Sequence, residues 1–567
     1  GLRRCLYTRI AAAIAAHLRS PELSLDQLAF SELCTRKRVL ESAFELSGFG
    51  DAGHLVESFG RRGPDGNVDL PMQALPIACL FFSLDQIPTA MLSAALTLSP
   101  AILAPLLLGW ISNTRVLTAT GEMHRAMLLR AHERIAGQEI AVPLRLALAK
   151  AWMHCSYADI PDKHEIKRSF NSLWQRVIEA EGIRARATNR PGAKRPRLLV
   201  CAERLKSDHA MFRVYGAAIE QLRSRFELVL LAEQNDQDAG AAALFDRTES
   251  FDLRSSTLKD IVARVIRLEP DLIFYPSLGM SDWTEVLANQ RLARIQFMSF
   301  GHPATSMSPC IDYALLSGLQ SEASAAFCSE IVVLRTGHDA HAPHPELPDA
   351  MPVLAPPADG ALHIAVNSNV MKLSHRLLAV CQGLIREAGV PVHLNFFPFE
   401  FGVGFDHMRH ALEVMFERVT VHPVMHYRDF LAAMSHCEMA LAAFPFGNTN
   451  STVDTSLMGI PVVAYTSEEP LSLGDKSIMR RLPVPPWLLA TDDESYFRAA
   501  LRLAREPGLR SSISKALREP SVRADLFRAE DTQSPTEFVD AVWWINANDA
   551  AIRASGRRCL RVGEALP

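Results

Sequence analysis

Apolar residues recur at helical spacing from Gly1 to about Glu181. In RCLYTRIAAAIAAHL and LAFSELCTRKRVLESAFEL they fall three and four positions apart, with polar residues between them. The same pattern continues in EMHRAMLLRAHERIA and HEIKRSFNSLWQRVIEA. It predicts an all-helical N-terminal domain over residues 1–185, with Ser24 or Asp26 opening the second helix. No repeat of about 34 residues is evident, so a tetratricopeptide array is not predicted.

Beyond a basic connector, ARATNRPGAKRPR, short apolar runs alternate with amphipathic stretches. RLLVCAE, FELVLLA, DLIFYPS, ARIQFMSF and EIVVLRT are typical of strands, and AMFRVYGAAIEQLRS and TLKDIVARVIRL are typical of helices. A stretch rich in Pro, Ala and Asp follows, HDAHAPHPELPDAMPVLAPPADG, and predicts an unpacked linker. After it the alternation resumes with the strands LHIAVNS, VPVHLNFF, RVTVHP, CEMALAAF and PVVAYT.

Strand–helix alternation of this kind predicts an α/β fold with parallel sheets covered by helices on both faces. We expect two Rossmann-like domains in tandem, residues 195–345 and 360–535, followed by a helical tail over residues 536–567. Because such folds bind ligands at the carboxyl ends of their strands, the two domains are expected to face each other across a binding cleft.

The stretch between Asp85 and Arg115 has no charge and is long enough to cross a bilayer. Pro88, Pro100 and Pro105 interrupt it, and neither a basic cluster nor an aromatic belt flanks it. We therefore expect a buried helical hairpin and no membrane span.

Composition narrows the function classes. Lys and Arg number 59 and Asp and Glu 63, so a nucleic-acid binder with a large basic field is not expected. Hydrophobic residues make up 48% of the chain, which excludes bulk disorder. The ten cysteines stand singly, without a CxxC pair. Zinc-ribbon and thioredoxin-type motifs are thus unsupported, no signal peptide is evident, and a reducing, cytoplasmic compartment is expected.

The clearest candidate site is FPFGNTNSTVDTSLMGIPVV, residues 444–463. A strand is expected to end there in a polar turn that precedes a helix, and free main-chain N–H groups at a helix start bind a diphosphate. Asp454, one turn into the helix, is placed to accept a bond from a ribose hydroxyl. Asn and Thr are also common helix caps, so capping alone is the alternative. The candidate residues are Phe446, Gly447, Asn448, Thr449, Asn450 and Asp454.

Two further residues lie at predicted strand ends. Lys372, in MKLSHRLL, follows the first strand of the second Rossmann-like domain, where an ammonium can neutralise a departing diphosphate. His209, in ERLKSDHAMFR, occupies the matching edge of the first, where it can bond a sugar or phosphate or act as a base. An exposed lysine and a structural histidine are the alternatives, and Asp208 is expected to cap the helix.

Several motifs are missing. GHPATSMSPCIDY, residues 301–313, has neither the Gly-x-Gly-x-x-Gly spacing nor a Walker lysine, which argues against dinucleotide and P-loop sites. The chain has no His-Glu-x-x-His or Gly-x-Ser-x-Gly motif. A metal-independent mechanism is the simpler expectation.

Four segments, WMHCSYADIPDKHEIKRS, SFGHPATS, VMKLS and FPFGNTNSTVD, resemble the bacterial cytoplasmic N-glycosyltransferases that modify high-molecular-weight adhesins, sisters of the O-GlcNAc transferases. The similarity runs across nearly the whole chain. It implies a GT-B fold behind the helical domain, with acceptors on the first Rossmann-like domain and the UDP-sugar on the second. It also implies an inverting, metal-independent and cofactor-free transfer of a hexose, usually glucose from UDP-glucose, to Asn in Asn-x-Ser/Thr sequons of acceptor polypeptides such as adhesins.

The resemblance also implies residue roles. Lys372 matches the lysine that holds the diphosphate, and Asn369 matches a neighbouring nucleotide contact. Asn450 and Asp454 match contacts on the phosphate and ribose sides. His209 matches a histidine near the sugar end of the donor.

The chain departs from the family pattern at two places. Glu400 stands where the family has a glutamine contact, and a carboxylate there would meet a diphosphate unfavourably. HPVMHY replaces the family's His-Pro-His-Ser-Pro-Tyr and keeps His422, Pro423 and Tyr427. His422 and Tyr427 are candidate UDP contacts, and whether His422 or His426 meets the uridine stays open.

Two other functions remain open on the sequence. One is an O-glycosyltransferase that modifies Ser or Thr, with UDP-GlcNAc as a donor. The other is a non-catalytic scaffold that binds a sugar nucleotide and recruits partners through the helical domain.

Overall fold

The computed structural model describes residues 2–18, 25–62, 68–113, 115–188, 190, 194–317, 322–337, 341–528 and 537–566. Contacts among them divide the chain into two compact units, each assembled from separate stretches. The N-terminal unit comprises residues 1–176, 368–382 and 393–424, and the C-terminal unit comprises residues 177–367, 383–392 and 425–567.

The first part of the chain is helical, as its periodicity predicts. Asp26 opens the second helix, where its carboxylate accepts a bond from the Ala29 N–H at 2.7 Å, while Ser24 lies outside the described residues. Two short strands, β1 and β2, pair antiparallel. The elements are α1 (Leu2–Leu18), α2 (Gln27–Thr35), α3 (Lys37–Glu45), α4 (Gly53–Phe59), β1 (Arg61–Arg62), β2 (Val68–Asp69), α5 (Leu75–Cys79), α6 (Thr89–Ala95), α7 (Pro100–Ile111), α8 (Ala119–Arg130), α9 (Arg145–His154) and α10 (Ile166–Ala180).

The uncharged stretch between Asp85 and Arg115 forms α6 and α7. Pro88 precedes α6 and Pro100 is the first residue of α7, as expected of residues that begin helices. The expectation fails at Pro105, which lies inside α7. Pro105 removes one helix hydrogen bond, and burial of every residue over 103–111 compensates for the loss. Within the described residues, no helix combines the length and apolarity needed to span a membrane.

A buried ion pair lies in the helical part. The Lys37 ammonium is fully buried, lies 3.4 Å from a Glu41 carboxylate oxygen and donates to the carbonyl of Cys79 at 2.9 Å. Burial lowers the pKa of Lys37, and the Glu41 charge opposes that shift. Because both charges are satisfied by specific partners, the pair fixes how α3 packs against the segment that follows α5.

The C-terminal unit contains an all-parallel sheet of eight strands. Its order is β16-β9-β8-β7-β6-β3-β4-β5, and β6, β7 and β8 are buried along their whole length, as in sheets covered on both faces. The alternation predicted β3, β4, β6, β7 and β9 but missed β5 and β8. The elements are β3 (Arg197–Cys201), α11 (Ala210–Leu222), β4 (Glu227–Glu233), α12 (Ala239–Ala242), β5 (Arg247–Phe251), α13 (Leu258–Leu268), β6 (Leu272–Tyr275), α14 (Asp282–Ala288), β7 (Ile295–Met298), β8 (Tyr313–Leu316), β9 (Ile331–Leu334) and β16 (Cys559–Arg561).

The later part of the chain repeats the parallel pattern. In the C-terminal unit β10 pairs with β13, β13 with β14 and β14 with β15, and in the N-terminal unit β11 pairs with β12, all in parallel. These pairings and the eight-stranded sheet confirm the predicted α/β architecture. The elements are β10 (Leu362–Val366), α15 (His375–Glu387), β11 (Val392–Phe396), α16 (Gly402–Met415), β12 (Val419–Val421), α17 (Tyr427–Met434), β13 (Met439–Leu441), α18 (Asn450–Leu457), β14 (Val462–Tyr465), α19 (Leu473–Met479), β15 (Leu489–Ala490), α20 (Asp493–Arg505), α21 (Pro507–Leu517), α22 (Pro520–Phe527) and α23 (Phe538–Ala554).

The C-terminal segment belongs to the eight-stranded sheet. Phe538, Val542 and Ile545 of α23 are buried against the core of that sheet. The sequence pattern predicted a helical tail over residues 536–567. That prediction is wrong for the last part of the segment, where β16 pairs with β9 at the sheet edge.

Candidate functional site

The turn that carries the Asn-Thr-Asn motif lies between β13 and α18 in the C-terminal unit. The buried carboxylate of Asp475, from α19, accepts bonds from the main-chain N–H groups of Asn448 at 2.7 Å and Thr449 at 2.8 Å. It also accepts a bond from the hydroxyl of Thr452 at 2.6 Å. A Cβ on Gly447 would lie 2.6 Å from an oxygen of Asp475, so the turn requires glycine there.

This arrangement corrects the expectation that the N–H groups of Asn448 and Thr449 are free to bind a ligand. Both already donate to Asp475, a residue that the sequence pattern did not single out. Within the described residues, the next two N–H groups, of Asn450 and Ser451, have no hydrogen-bond acceptor. The anion-binding donors of this helix start therefore lie two residues further along than the motif suggested.

Asn450 and His341 bring two buried polar atoms into one place. Asn450 Oδ1 and His341 Nε2 are both buried, and the two side chains are hydrogen-bonding neighbours. Each can therefore serve as the partner that a buried polar atom requires. His341 belongs to the stretch expected to be an unpacked linker. That stretch lacks helices and strands over 341–361, but its first residues pack into the site.

Asp454 lies among three polar side chains from different elements. Arg213 of α11 binds its two carboxylate oxygens at 2.8 and 3.1 Å, and both side chains are buried. The hydroxyl of Tyr427 donates to Asp454 at 2.9 Å, and the Tyr427 ring stacks on His344 at 3.8 Å between centroids. Burial and the Asp454 charge raise the pKa of Tyr427 well above its usual value. Asp454 is thus not a free acceptor, although one lone-pair site on Oδ2 is still available.

Arg213 and His344 were not identified from the sequence. Both belong to segments that carry no motif. Arg213 lies in a stretch predicted only to be an amphipathic helix, and His344 lies in the stretch predicted to be an unpacked linker. Only the burial of Asp454, which the structure shows, points to a cationic partner, since a buried carboxylate requires one.

His209 caps α11, a role that the sequence assigned to Asp208. The His209 ring accepts a bond from the Met211 N–H at Nδ1, at 3.2 Å. Burial, with the nearby Arg204 charge, lowers the pKa of His209 to about 4. A neutral ring that accepts at Nδ1 carries its proton at Nε2. His209 is therefore a hydrogen-bond donor at Nε2, and this geometry does not support the expected role as a base.

Two buried carboxylates hold neighbouring loops in the C-terminal unit. Glu330 accepts bonds from the hydroxyls of Thr305 and Ser306, which fixes the GHPATS loop. In that loop the ring of His302 lies 5.7 Å from the ring of Phe446, between centroids. Glu203, which follows β3, accepts bonds from three consecutive main-chain N–H groups over 279–281, at 2.8 to 3.0 Å.

Asn369, Lys372 and His422 lie in the N-terminal unit. Asn369 caps a short 3-10 turn that ends at Lys372, and this places the lysine between β10 and α15, as predicted. The His422 ring stacks on Phe397 at 4.3 Å between centroids, and its Nε2 lies 3.2 Å from Asn395 Oδ1. These contacts hold the His422 ring at the end of β12, whereas His426 begins α17 in the C-terminal unit.

Glu400 has a cationic partner. Its carboxylate pairs with the Arg38 guanidinium within the N-terminal unit, and it is 6% exposed. A Cβ on Gly404 would clash with both side chains of this pair, so glycine admits the contact. Because Arg38 compensates the charge, Glu400 does not present the uncompensated anion that the sequence suggested.

Replacing Arg213 with methionine is expected to lower the free energy of unfolding by about 3–5 kcal/mol, because Asp454 would keep a buried charge without its cation. Urea denaturation measures the loss. Adding Asp454→Asn to the same chain should recover part of it, since the amide is neutral. Arg204→Met, which breaks an exposed pair with Asp236, is the matched control and should change stability by no more than about 1 kcal/mol. A loss that small for Arg213→Met would contradict the coupling.

Acidification is expected to destabilise the protein through three buried histidines. Burial lowers the pKa of His154 and of His341 to about 3, and of His209 to about 4. Below the unfolded pKa of about 6.5, the unfolded chain takes up protons that the folded chain refuses. The stability that these groups provide is present above that pH and is lost as the pH falls towards 4. At pH 5 each of these histidines should lower the free energy of unfolding by about 2 kcal/mol relative to neutral pH.

Urea midpoints measured between pH 7.5 and pH 5 test this dependence. Replacing His154 with glutamine removes one titrating group and should make the decrease shallower. Midpoints that stay constant over that range would contradict the prediction.

The sequence comparisons agree with the resemblance in the motifs. A family model described as HMW1 domain 2 matches residues 93–178. The UDP-glucose:protein N-beta-glucosyltransferase of Actinobacillus pleuropneumoniae serotype 5b (strain L20) is 27% identical over 553 residues, which cover 94% of this chain and 88% of that protein. A probable UDP-N-acetylglucosamine–peptide N-acetylglucosaminyltransferase SPINDLY of Petunia hybrida is 24% identical over 266 residues, 45% of this chain and 28% of that protein.

The structural comparison bears on the fold. An O-GlcNAc transferase mutant of Thermobaculum terrenum superposes with a TM-score of 0.56 at 18% sequence identity, covering 97% of this chain and 98% of that one. The protein therefore has the predicted GT-B fold with a helical N-terminal region. Together with the sequence matches, this confirms the resemblance to the adhesin-modifying N-glycosyltransferases and to their O-GlcNAc transferase sisters.

Proposed function

We propose that this chain, a relative of the HMW1-type N-glucosyltransferases, transfers a hexose from a UDP-sugar to the side-chain amide of Asn in Asn-x-Ser/Thr sequons of acceptor polypeptides. The donor is UDP-glucose, the activity named for the A. pleuropneumoniae relative. The observation that carries the proposal is the polar cluster in the C-terminal unit, where Arg213 of α11 meets Asp454 of α18. It joins two helices that each follow the carboxyl end of a parallel strand, α11 after β3 and α18 after β13, and α/β folds bind nucleotides at such strand ends.

The donor is held by groups at the start of α18. The N–H groups of Asn450 and Ser451 bind the diphosphate. The open acceptor site on Asp454 takes a ribose hydroxyl. Lys372 neutralises the charge that develops on the leaving diphosphate, so no metal ion is required.

The chemistry is a single displacement with inversion. The amide nitrogen attacks the anomeric carbon from the face opposite the diphosphate, the bond from that carbon to oxygen breaks, and UDP leaves with its electron pair. The N–H proton that the nitrogen loses passes to the departing diphosphate. Because an amide is a weak nucleophile, stabilising the leaving group lowers the barrier most. His209 assists by donating from Nε2 to the sugar or phosphate.

Ten free cysteines, seven of them buried, fit action in the reducing cytoplasm. We further propose that the acceptors are adhesin-like polypeptides.

Incubating the protein in EDTA with a panel of UDP-sugars and an Asn-x-Thr peptide tests the proposal by mass spectrometry. The expected product carries one hexose on Asn, formed from UDP-glucose, and a peptide with Gln in place of Asn is the matched control. Proton NMR of the product should show the β-anomer. Modification of Thr would favour the O-glycosyltransferase alternative. UDP binding without turnover would favour a non-catalytic scaffold, and loss of turnover in EDTA would contradict metal independence.

A further inference from the structure

A large cavity lies within the helical part of the N-terminal unit. Its volume is about 1310 Å³, and side chains of α1, α2, α9 and the segment before α9 line it. Most of its lining is apolar, including Ile14, Leu33, Phe81 and Ala147. Small-molecule sites usually measure roughly 300–1,000 Å³, so this space exceeds what a small metabolite fills. None of the candidate donor-site residues lines it.

The cavity has an unbalanced positive charge. Arg36, Arg38 and Lys150 line it, against one carboxylate, Glu32. Arg38 is paired with Glu400, but Arg36 and Lys150 make no side-chain hydrogen bond or ion pair within the described residues. Both side chains are exposed, and partial desolvation, followed by the Arg38 charge, lowers the pKa of Lys150. Two cations without partners beside an apolar wall are complementary to a ligand that is both acidic and apolar.

Exposed apolar side chains line the cavity or adjoin lining residues in the chain. Val39 is 53% exposed and Leu146 61% exposed, and both line the cavity. Leu28 of α2 and Val142, just before α9, are 53% and 67% exposed. Clustered exposed apolar residues mark interaction surfaces, whereas single ones are ordinary.

We propose that this cavity is a docking site for an acidic polypeptide segment that carries apolar side chains. The apolar side chains enter the space lined by Leu33 and Ala147, and the carboxylates pair with Arg36 and Lys150. Spaced apolar anchors in a groove are a common mode of peptide recognition. A polypeptide is favoured over a small anion because the volume is large and two exposed apolar residues, Val39 and Leu146, line the cavity.

Fluorescence anisotropy with the full chain tests the site directly. The probe is a fluorescein-labelled peptide of about twelve residues, built from Glu and Leu with Leu at helical spacing. A second probe replaces Glu with Lys, and a third replaces Leu with Ser. The acidic amphipathic probe should bind, the other two should not, and raising the salt concentration should weaken binding.

The charge pairing is tested with the double variant Arg36→Gln and Lys150→Gln. Binding of the acidic probe should fall at least about tenfold, because both charge pairs are lost. Lys259→Gln, an exposed lysine on α13 in the C-terminal unit, is the matched control and should bind as the unmodified protein does. Circular dichroism shows whether the double variant is folded. If it is not, Lys150→Gln alone should still weaken binding.

Three results would overturn the proposal. One is failure of the acidic probe to bind, and the second is equal binding to the unmodified protein and a folded variant. The third is binding of the lysine probe, of oleate or of phosphatidylserine vesicles in place of the acidic peptide. The last two ligands would assign the cavity to a lipid.

A second measurement rests on the proposed function and asks whether the docked segment belongs to the acceptor. Fusing the acidic segment to a sequon peptide should lower KM about tenfold and leave kcat unchanged, because tethering raises the local concentration of the sequon. The double variant should remove this gain. If no transfer occurs with any peptide, the proposed function fails, while anisotropy still decides whether the docking site exists. A KM that is the same with and without the segment would contradict a role in acceptor capture.

Discussion

Replacing Lys372 with alanine is expected to leave a folded protein that transfers hexose about 100- to 1,000-fold more slowly, since one preorganised charge contact contributes about 3–4 kcal/mol to the barrier. Lys372 is half-buried at the end of a 3-10 turn, so removing its side chain leaves little cavity. The effect should fall mainly on kcat, because negative charge on the diphosphate increases as UDP leaves.

Steady-state kinetics with UDP-glucose and a sequon peptide measure the change, and circular dichroism verifies the fold. Lys372→Arg keeps the charge and should retain more activity than the alanine variant. Lys259→Ala removes an exposed lysine and is the matched control. If Lys372→Ala turns over like the unmodified protein, the ammonium does not stabilise the leaving group.

Replacing Asp475 with asparagine is expected to disrupt the Asn-Thr-Asn turn. The carboxylate receives two main-chain N–H bonds and a hydroxyl bond in a fully buried site. An amide can accept at one atom only and turns an NH2 group towards one of the N–H donors. We expect the free energy of unfolding to fall by about 3 kcal/mol, since each bond to a charged group contributes about 1.5–3 kcal/mol. Transfer should fall at least about 100-fold, because the turn positions the donors of α18.

The loss of stability and the loss of activity are measured separately, by urea denaturation and by kinetics at a temperature where the variant is folded. Thr452→Val removes only the hydroxyl bond and should cost about 1 kcal/mol. Asp525→Asn, an exposed carboxylate on α22, is the matched control. An Asp475→Asn variant with unchanged KM for UDP-glucose and unchanged kcat would show that the turn does not depend on this carboxylate.

Much of the fold follows from local pattern. Helical periodicity predicted α1, α2, α3, α8 and α10, and the expected hairpin corresponds to α6 and α7, whereas α4, α5 and α9 were not individually predicted. Short apolar runs predicted most of the buried parallel strands, because strands covered on both faces lack polar alternation. β5 and β8 were missed. The strand β5 is partly exposed along most of its length, and β8 begins at Tyr313, the last residue of the segment interpreted as a turn. The strand β16 was missed because three residues near a chain end carry no periodicity.

Only part of the candidate site could be predicted from the sequence. The Asn-Thr-Asn turn, Lys372 and His209 were located at strand ends because βα connections place polar residues there. The residues that form hydrogen bonds and ion pairs with this site could not be predicted from the sequence, because they belong to other elements. Asp475 lies on α19, Arg213 on α11 and His344 in the linker, and no spacing in the chain relates them to the motif.

The sequence by itself determined the alternation of most helices and strands, the position of the polar turn and the family resemblance. These depend on residues close together in the chain. Only the tertiary structure decided which donors are free and which charges are compensated. A carboxylate 26 residues after Thr449 takes two main-chain N–H groups. An arginine near the N-terminus balances Glu400. Folding brings charged groups from distant parts of the chain into contact. Whether a polar group is available to bind a ligand is therefore a property of the folded chain.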